Sequence, residues 1–395
     1  GERAGVGEDQ GVGMKFVALG SVAEVIAGQS PEGKFYNANG DGLPFYQGKK
    51  EFAEKFIGNP TVWTRQTTRL SKKGDILMSV RAPVGPVNFA TQDVCIGRGL
   101  AAIRTSREIN PDYLFYQLLH LQPEIAGNEG AVFASINKTQ IEALPVVAPS
   151  LVEQHRIVAL LDEAFSGIAA AKANAEKGLR NAREVFDGYM RDLFLCDTVS
   201  QLGELGEFRN GVNYTQRSKG RRVRIVGVKD FKNNFSVPLE SLEAVQLDGE
   251  LNPLDALRAN DILFVRSNGN PELIGRCLLM SGADEEISHS GFTIRFRLTD
   301  AGVNPKYLCQ FLKTPATRRK LTESGTGTNI KSLNQQILSA LPVPISTGAE
   351  QMRVVMRIEE MSAEVSQLQS LYTRKLAALD ELKQSLLQQA FSGQL

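Results

Sequence analysis

One pattern is written twice in this chain, at a constant offset close to half of its 395 residues. Around Ser135 the sequence reads SINKTQIEALPVVAPSLVEQHRIV, and around Ser332 it reads SLNQQILSALPVPISTGAEQMRVV. Ser135, Asn137, Ala143, Leu144, Pro145, Glu153, Gln154, Arg156 and Val158 recur as Ser332, Asn334, Ala340, Leu341, Pro342, Glu350, Gln351, Arg353 and Val355. Solenoid repeats are several times shorter, so the period marks a duplicated unit. Two like halves bring two like surfaces to one ligand, which points to a ligand that is itself long and quasi-symmetric.

Size and composition narrow the class. A chain of this length holds two or three domains. Hydrophobic residues at 42% and charged residues at 23% are ordinary for a globular protein. No apolar run approaches the ~20 residues of a membrane span, and no signal peptide is visible. The four cysteines, Cys95, Cys196, Cys277 and Cys309, form no CxxC pair, which argues against a zinc site or a disulfide framework and for a cytoplasmic location. Residues 1–13, GERAGVGEDQGVG, read as a flexible tail and are set aside. Net charge is only +1, yet Arg209, Arg217, Lys219, Arg221, Arg222, Arg224, Lys229 and Lys232 crowd one segment against Asp230 alone. Such a run is either a solvated face or a phosphate-facing strip, with Asn213, Tyr214, Asn233 and Asn234 interleaved.

Each half repeats one order of elements. Short apolar runs, Ile76–Val80 and Ile262–Val265, begin at a matching Asp (GDILMSVR, NDILFVRS) and read as strands between turn clusters. INPDYLFYQLL from Ile109 and VNPKYLCQFLK from Val303 read as helices, with Pro at the first turn. Loops rich in small residues, GAVFASIN and GTGTNIKSLN, precede the strands LPVVAP and LPVPI.

A long helix follows both times. Val158, Leu161, Phe165, Ile168, Lys172, Ala175, Leu179, Ala182, Phe186, Tyr189 and Leu193 step by three and four, the seam of a coiled coil. The same offset gives Val355, Ile358, Ser362, Val365, Gln369, Tyr372, Leu376, Leu379, Lys383, Leu386 and Ala390. Pairing the two helices hides both stripes, and a pseudo-two-fold between the halves makes the pair antiparallel. About 35 helical residues span about 52 Å, which would hold two globular domains roughly a DNA turn apart. Lys172 and Gln369 would then meet near the middle and set the register, unless Lys172 snorkels to solvent. Met361, Leu368, Leu371, Leu382, Leu387, Ile157 and Leu160 lie outside the seam and are free for further helices or for the adjoining domains.

SVRAPVG at Ser79–Gly85, the ALP…EQxR run after each globular part, and the terminal LLQQAFSGQL resemble the specificity subunits of type I restriction–modification systems, over essentially Met14 to Leu395. The resemblance implies an α+β fold: two mixed, β-rich target-recognition domains separated by a two-helix antiparallel coiled coil. The expected division is 14–150, 151–196, 197–348 and 349–395. It also implies a non-catalytic subunit that reads a bipartite duplex and directs two adenine-N6 methyltransferase subunits to it, with or without restriction and translocase subunits. S-adenosylmethionine would sit on the partner methyltransferase. An adaptor that spaces two protein-binding modules, and an orphan DNA-binding subunit, are the alternatives.

The residues themselves carry no sign of catalysis. The glycines of the tail follow no strand, so they form no cofactor-binding turn. Asn110-Pro111-Asp112-Tyr113 lacks the second proline of an amino-methyltransferase loop, and its copy Asn304-Pro305-Lys306-Tyr307 carries Lys, so both read as helix starts. No P-loop appears, and the three histidines have no ligand spacing, so no metal is expected.

DNA contacts divide into phosphate positioning and base reading. In the first half the candidates are Gln29, Lys34, Tyr36, Asn37, Gln47, Lys49, Lys50, Arg81 and Arg98. In the second they are Asn213, Tyr214, Arg217, Lys219, Arg221, Arg222, Lys229, Arg266, Asn268, His289 and Lys331. Arg and Lys suit guanine and phosphate; Asn and Gln suit adenine.

Overall fold

The segments after Ser150 and Thr347 contain no proline, and each forms one unbroken helix in the computed structural model, which describes residues 16–126, 135–232, 234–324 and 332–395. The tail and most of both small-residue loops lie outside the described residues. In chain order the first half comprises β1 (Phe16–Ala18), α1 (Leu19–Val22), β2 (Ala23–Ala27), β3 (Tyr36–Asn37), β4 (Leu43–Tyr46), β5 (Trp63–Thr64), β6 (Leu70–Ser71), β7 (Ile76–Ser79), β8 (Val87–Phe89), β9 (Val94–Ile96), β10 (Leu100–Thr105), α2 (Pro111–Ala126), α3 (Lys138–Glu142), β11 (Pro145–Val147) and α4 (Leu151–Leu193). The second comprises β12 (Val199–Gln201), β13 (Gly206–Asn210), β14 (Arg222–Val226), β15 (Glu243–Gln246), β16 (Ile262–Val265), β17 (Cys277–Leu279), β18 (Ile287–His289), β19 (Thr293–Leu298), α5 (Pro305–Lys313), α6 (Pro315–Ser324), α7 (Gln335–Ser339), β20 (Pro342–Pro344) and α8 (Gly348–Ser392).

The chain divides into two compact units, Gly1–Ala175 with Thr373–Leu395, and Glu176–Tyr372. In the first, an antiparallel sheet of order β2-β10-β7-β8 stands beside a mixed sheet of order β3-β5-β4-β9-β6. In the second, an antiparallel sheet of order β13-β19-β16-β17 stands beside the smaller β15-β14-β18. The second sheet of each unit contains one parallel pair, β4 with β9 and β14 with β18. The expected strands at Ile76 and Ile262 are β7 and β16, both buried along their length. Their leading carboxylates are buried too. Asp75 accepts two hydrogen bonds from the Arg104 guanidinium, at 3.0 and 2.8 Å, and Asp261 accepts two from Arg297, at 2.8 and 2.7 Å.

The helix starts behave as the Asn-Pro pairs predict. Asn110 caps α2 by accepting from the Tyr113 N–H at 3.1 Å, and Asn304 caps α5 by accepting from Lys306 and Tyr307. The matched glutamines of the repeat have a clear task. Gln154, fully buried, accepts from the Asn110 N–H at 2.6 Å and donates to Glu108 O and Pro149 O. Gln351, equally buried, accepts from the Asn304 N–H at 2.7 Å and donates to Gly302 O and Ser346 O. One amide thus ties the first turn of each long helix to the turn that launches the shorter one.

Within each unit α4 and α8 run antiparallel. In the first unit, Arg156 donates to Leu395 O, the Lys383 ammonium lies over the Phe165 ring, and Lys172 pairs with Asp380. In the second, Tyr372 packs over Gly178, and Arg357 donates to the Tyr189 hydroxyl. Among the seam residues Leu161, Ile168, Val355, Ile358 and Val365 are buried, and Val158, Phe165, Leu179, Phe186, Tyr189, Leu193, Tyr372, Leu376, Leu379 and Leu386 are half-buried. Lys172 therefore ends on a carboxylate of its own unit, and Gln369 belongs to the other unit. Of the apolar residues outside the seam, Ile157 and Leu387 are buried in the first unit's core, while Leu160, Leu368, Leu371 and Leu382 remain exposed. None of the described helices is long and apolar enough to cross a membrane.

Replacing Gln351 by Leu keeps the volume but deprives one N–H and two carbonyls of their buried partner. The expected loss is ~3 kcal/mol, against under ~1 kcal/mol for Glu350→Ala in the exposed Glu350–Arg353 pair. Denaturant melts of the two variants test this.

Candidate nucleic-acid interface

The candidate residues converge because four strands of each unit end together. In the first unit the ends of β2, β4, β7 and β9 are tied by main-chain bonds. Gln29 N–H donates to Ile96 O at 2.9 Å, Gly97 N–H to Tyr46 O at 2.8 Å, Gly99 N–H to Gln47 O at 3.0 Å, and Val80 N–H to Gly99 O at 3.0 Å. This places Gln29, Gln47, Arg81 and Arg98 at one end of the sheets, with Lys49 and Lys50 on the turn that follows β4. The second unit builds the same end from β13, β14, β16 and β18. Val212 N–H donates to His289 O at 2.8 Å, Ser290 N–H to Val226 O at 3.0 Å, and Arg266 N–H to Phe292 O at 2.8 Å. Asn213, Lys229, Arg266 and Asn268 gather there. Close approach demands glycine at one matched position. A Cβ on Gly28 would lie 2.1 Å from Gly97 O, and one on Gly211 would lie 2.1 Å from Ser290 O.

The side chains on this shared frame differ in what they can do. Gln29, Gln47, Lys49, Lys50, Arg81 and Arg98 are exposed, and the four cations have no acidic partner among the described residues. Lys34 is paired with Glu32 at 2.6 Å. Tyr36 stacks on Phe45 at 4.8 Å and donates to Pro31 O, and Asn37 closes a turn onto Asp41, so both hold the loop in shape. In the second unit Asn213, Arg217, Lys219 and Arg222 are exposed, Tyr214 is half-buried, Arg266 donates to Gly291 O at 3.4 Å, and Asn268 accepts from the Asn270 N–H. Tyr214, Lys229, Asn268 and Phe292 line a cleft of about 420 Å³ at this end.

Two expectations change. His289 is not a surface residue: it is fully buried, because β18 holds it in the slot that Ile96 fills in β9. Its Nδ1 meets the Thr293 hydroxyl at 2.9 Å. That hydroxyl already donates to Ser290 O, so the imidazole is the donor. Burial first, and the adjacent Arg295 guanidinium second, push the His289 pKa from 6.5 down to about 3, so the ring stays neutral. The basic strip is also less basic than its sequence. Arg221 pairs with Glu286 at 2.5 Å and Glu250 at 3.7 Å, Arg224 with Glu285, and Lys229 with Glu243. Arg221 and Arg222 moreover enter β14 at the end away from Gly227. Lys331 lies outside the described residues. One residue was missed: Phe292, 61% exposed, projects where Gly99 stands in the first unit, and as a lone apolar side chain it carried no polar signal.

Residues 11–177 match the family model of the type I restriction modification DNA specificity domain. That match covers less than half of the chain, which is similar there to type I specificity subunits. The chain is 38% identical over 163 residues to a protein of Methanocaldococcus jannaschii that bears the name type I restriction enzyme MjaX specificity subunit, an alignment covering 41% of this chain and 38% of that one. The chain thus spans well under half of that relative. It is 28% identical to the type I restriction enzyme EcoDI specificity subunit of Escherichia coli, over 97% of this chain and 89% of the other. Its fold resembles a chain from a structural study of complex assembly and conformational transition in the type I R–M system, with TM-score 0.77, 15% identity and coverage of 97% and 98%. It also resembles the HsdS subunit of Thermoanaerobacter tengcongensis, with TM-score 0.57, 16% identity and coverage of 97% of both chains.

With a buried neutral histidine, the pH dependence follows directly. The His289 pKa is depressed in the folded state, so the unfolded chain takes up the proton first. Stability is full above about pH 6.5 and falls as pH drops from there toward 3. His289→Ile, which restores the first unit's residue, should flatten the melting profile across that window.

Proposed function

We propose that this chain is the sequence-reading subunit of a type I restriction–modification assembly, and that each unit reads one part of a split duplex target through the strand ends described above. The carrying observation is that one main-chain frame occurs twice with different side chains upon it. Gln29, Gln47 and Arg98 occupy it in one unit, and Val212, Gly227 and Gly291 stand at the matching places in the other, with Asn213 and Phe292 beside them. A single motif read twice would need like side chains; two different half-sites need unlike ones.

Positioning falls to Lys49, Lys50, Arg81 and Arg98, and to Arg217, Lys219 and Arg222, whose charges are free to replace counterions on phosphate. Reading falls to the exposed amides of Gln29, Gln47 and Asn213. Arg221, Arg224 and Lys229 are held by carboxylates, which must be released before those cations reach DNA. The chain contributes no chemistry of its own: it delivers two adenine-N6 methyltransferase subunits, with or without restriction and translocase subunits, and the cofactor belongs to the methyltransferase. Methylome sequencing of cells that hold the chain with its methyltransferase should show a bipartite motif with modified adenines. A continuous motif, or none, would count against this reading.

Arg98→Ala should weaken binding to every sequence and reduce the log–log salt slope by about 0.9, whereas Arg221→Ala should change the slope less. Gln47→Ala should instead cost ~1–3 kcal/mol at one base pair of one half-site. Fluorescence-anisotropy titrations across a salt series and a panel of single-base variants separate these outcomes.

A further inference from the structure

The repeat also shows where the second unit is incomplete. In the first unit, the space where α2 meets α4 is filled by the chain itself. The Tyr116 hydroxyl donates to Asp162, its ring meets Phe165 edge-on at 5.3 Å, and the Lys55 ammonium lies 2.9 Å from Asp112 and 3.2 Å from Asp162. A cleft of only about 200 Å³ is left. In the second unit the repeat puts Gln310 in the place of Tyr116 and Ser362 in the place of Phe165. The acidic partner survives as Glu359, now paired with Lys306 at 2.8 Å. Two aromatic rings are missing, and a cleft of about 550 Å³ stands there, walled by Phe186, Met190, Phe235 and Ile358, with Asp187, Lys313 and Glu359 also in its lining.

One polar group faces this space without satisfaction. Gln310 is 5% exposed, and its Oε1 has no hydrogen-bond partner among the described residues. An unpaired buried amide oxygen costs ~1–3 kcal/mol, which a donor entering the cleft would recover. Two exposed methionines lie beyond the cleft, past the Glu359–Lys306 pair. Met352 and Met356, 49% and 63% exposed, lie on the α8 stripe that runs on through Glu359, Ala363 and Ser366 at helical spacing. A small free ligand would leave that stripe uncovered; a polypeptide would cover it.

We propose that the cleft between α5 and the long helices of the second unit is a socket for an aromatic side chain with a hydrogen-bond donor, a tyrosine, presented by a partner protein chain seated along Met352 and Met356. The ring takes the space that Phe165 and Tyr116 fill in the first unit, and its hydroxyl donates to Gln310 Oε1. The choice of partner rests on the assembly reading above; the socket itself does not.

The test uses the full chain and p-cresol as the probe, read by methyl NMR at Met190 and Ile358. p-Cresol should shift both methyls and bind about five-fold more tightly than toluene, which lacks the donor. Gln310→Leu should erase that preference, and Ser362→Phe should abolish binding of both while leaving DNA affinity unchanged. No methyl shift, or equal binding by Ser362→Phe, would overturn the socket. If Ser362→Phe closes the socket yet assembles with the methyltransferase as tightly as wild type, the partner assignment is overturned. DNA affinity, measured on the same samples, reports separately on the sequence-reading role.

Discussion

Two buried glutamines bear the heaviest structural constraint in this chain. Gln154 and Gln351 each satisfy one N–H and two carbonyls at the point where a 43- or 45-residue helix leaves its globular neighbour. A long helix fixed only by apolar packing can slide or rotate with little penalty. A buried amide with three partners cannot, because any displacement leaves polar groups without bonds in a low-dielectric interior. Each helix therefore starts from a fixed position and direction on its own unit. The seam then extends that direction, through Leu161 and Ile168 in one unit and Val355 and Ile358 in the other.

The duplicated frame separates what is kept from what varies. The Asp75–Arg104 and Asp261–Arg297 pairs, the Asn caps and the buried glutamines are the same in both units, and all of them sit in the scaffold. Three of the four main-chain bonds that tie the converging strand ends recur as well, the exception being Gly99 N–H to Gln47 O. The side chains at those ends differ. Such a division lets the reading residues change without disturbing the fold, since exposed positions on a fixed frame carry little of the stability.

Much of this was legible in the sequence, and for identifiable reasons. The helix seam is a local period of three and four, so it survived as a run from Val158 to Leu193. The Asn-Pro helix starts are local chemistry as well. Contacts between residues far apart in sequence were not legible. Arg221 and Arg224 look unopposed until the fold brings Glu286 and Glu285 to them, and nothing near them in the chain announces it. His289 reads as a polar loop residue because its neighbours are Ser288, Ser290 and Gly291. Only the parallel register with β14 places it in the core. Phe292 was hidden for the opposite reason, being an apolar residue that the fold leaves outside.

The central claim is that two copies of one frame read two different segments of a duplex. Hydroxyl-radical footprinting of the assembled complex on its methylated target tests it most directly, with wild type compared against Arg98→Ala and Lys219→Ala. The account predicts two protected segments separated by an unprotected spacer, with each substitution weakening protection of one segment alone. A single continuous footprint, or the same loss from both substitutions, would contradict it.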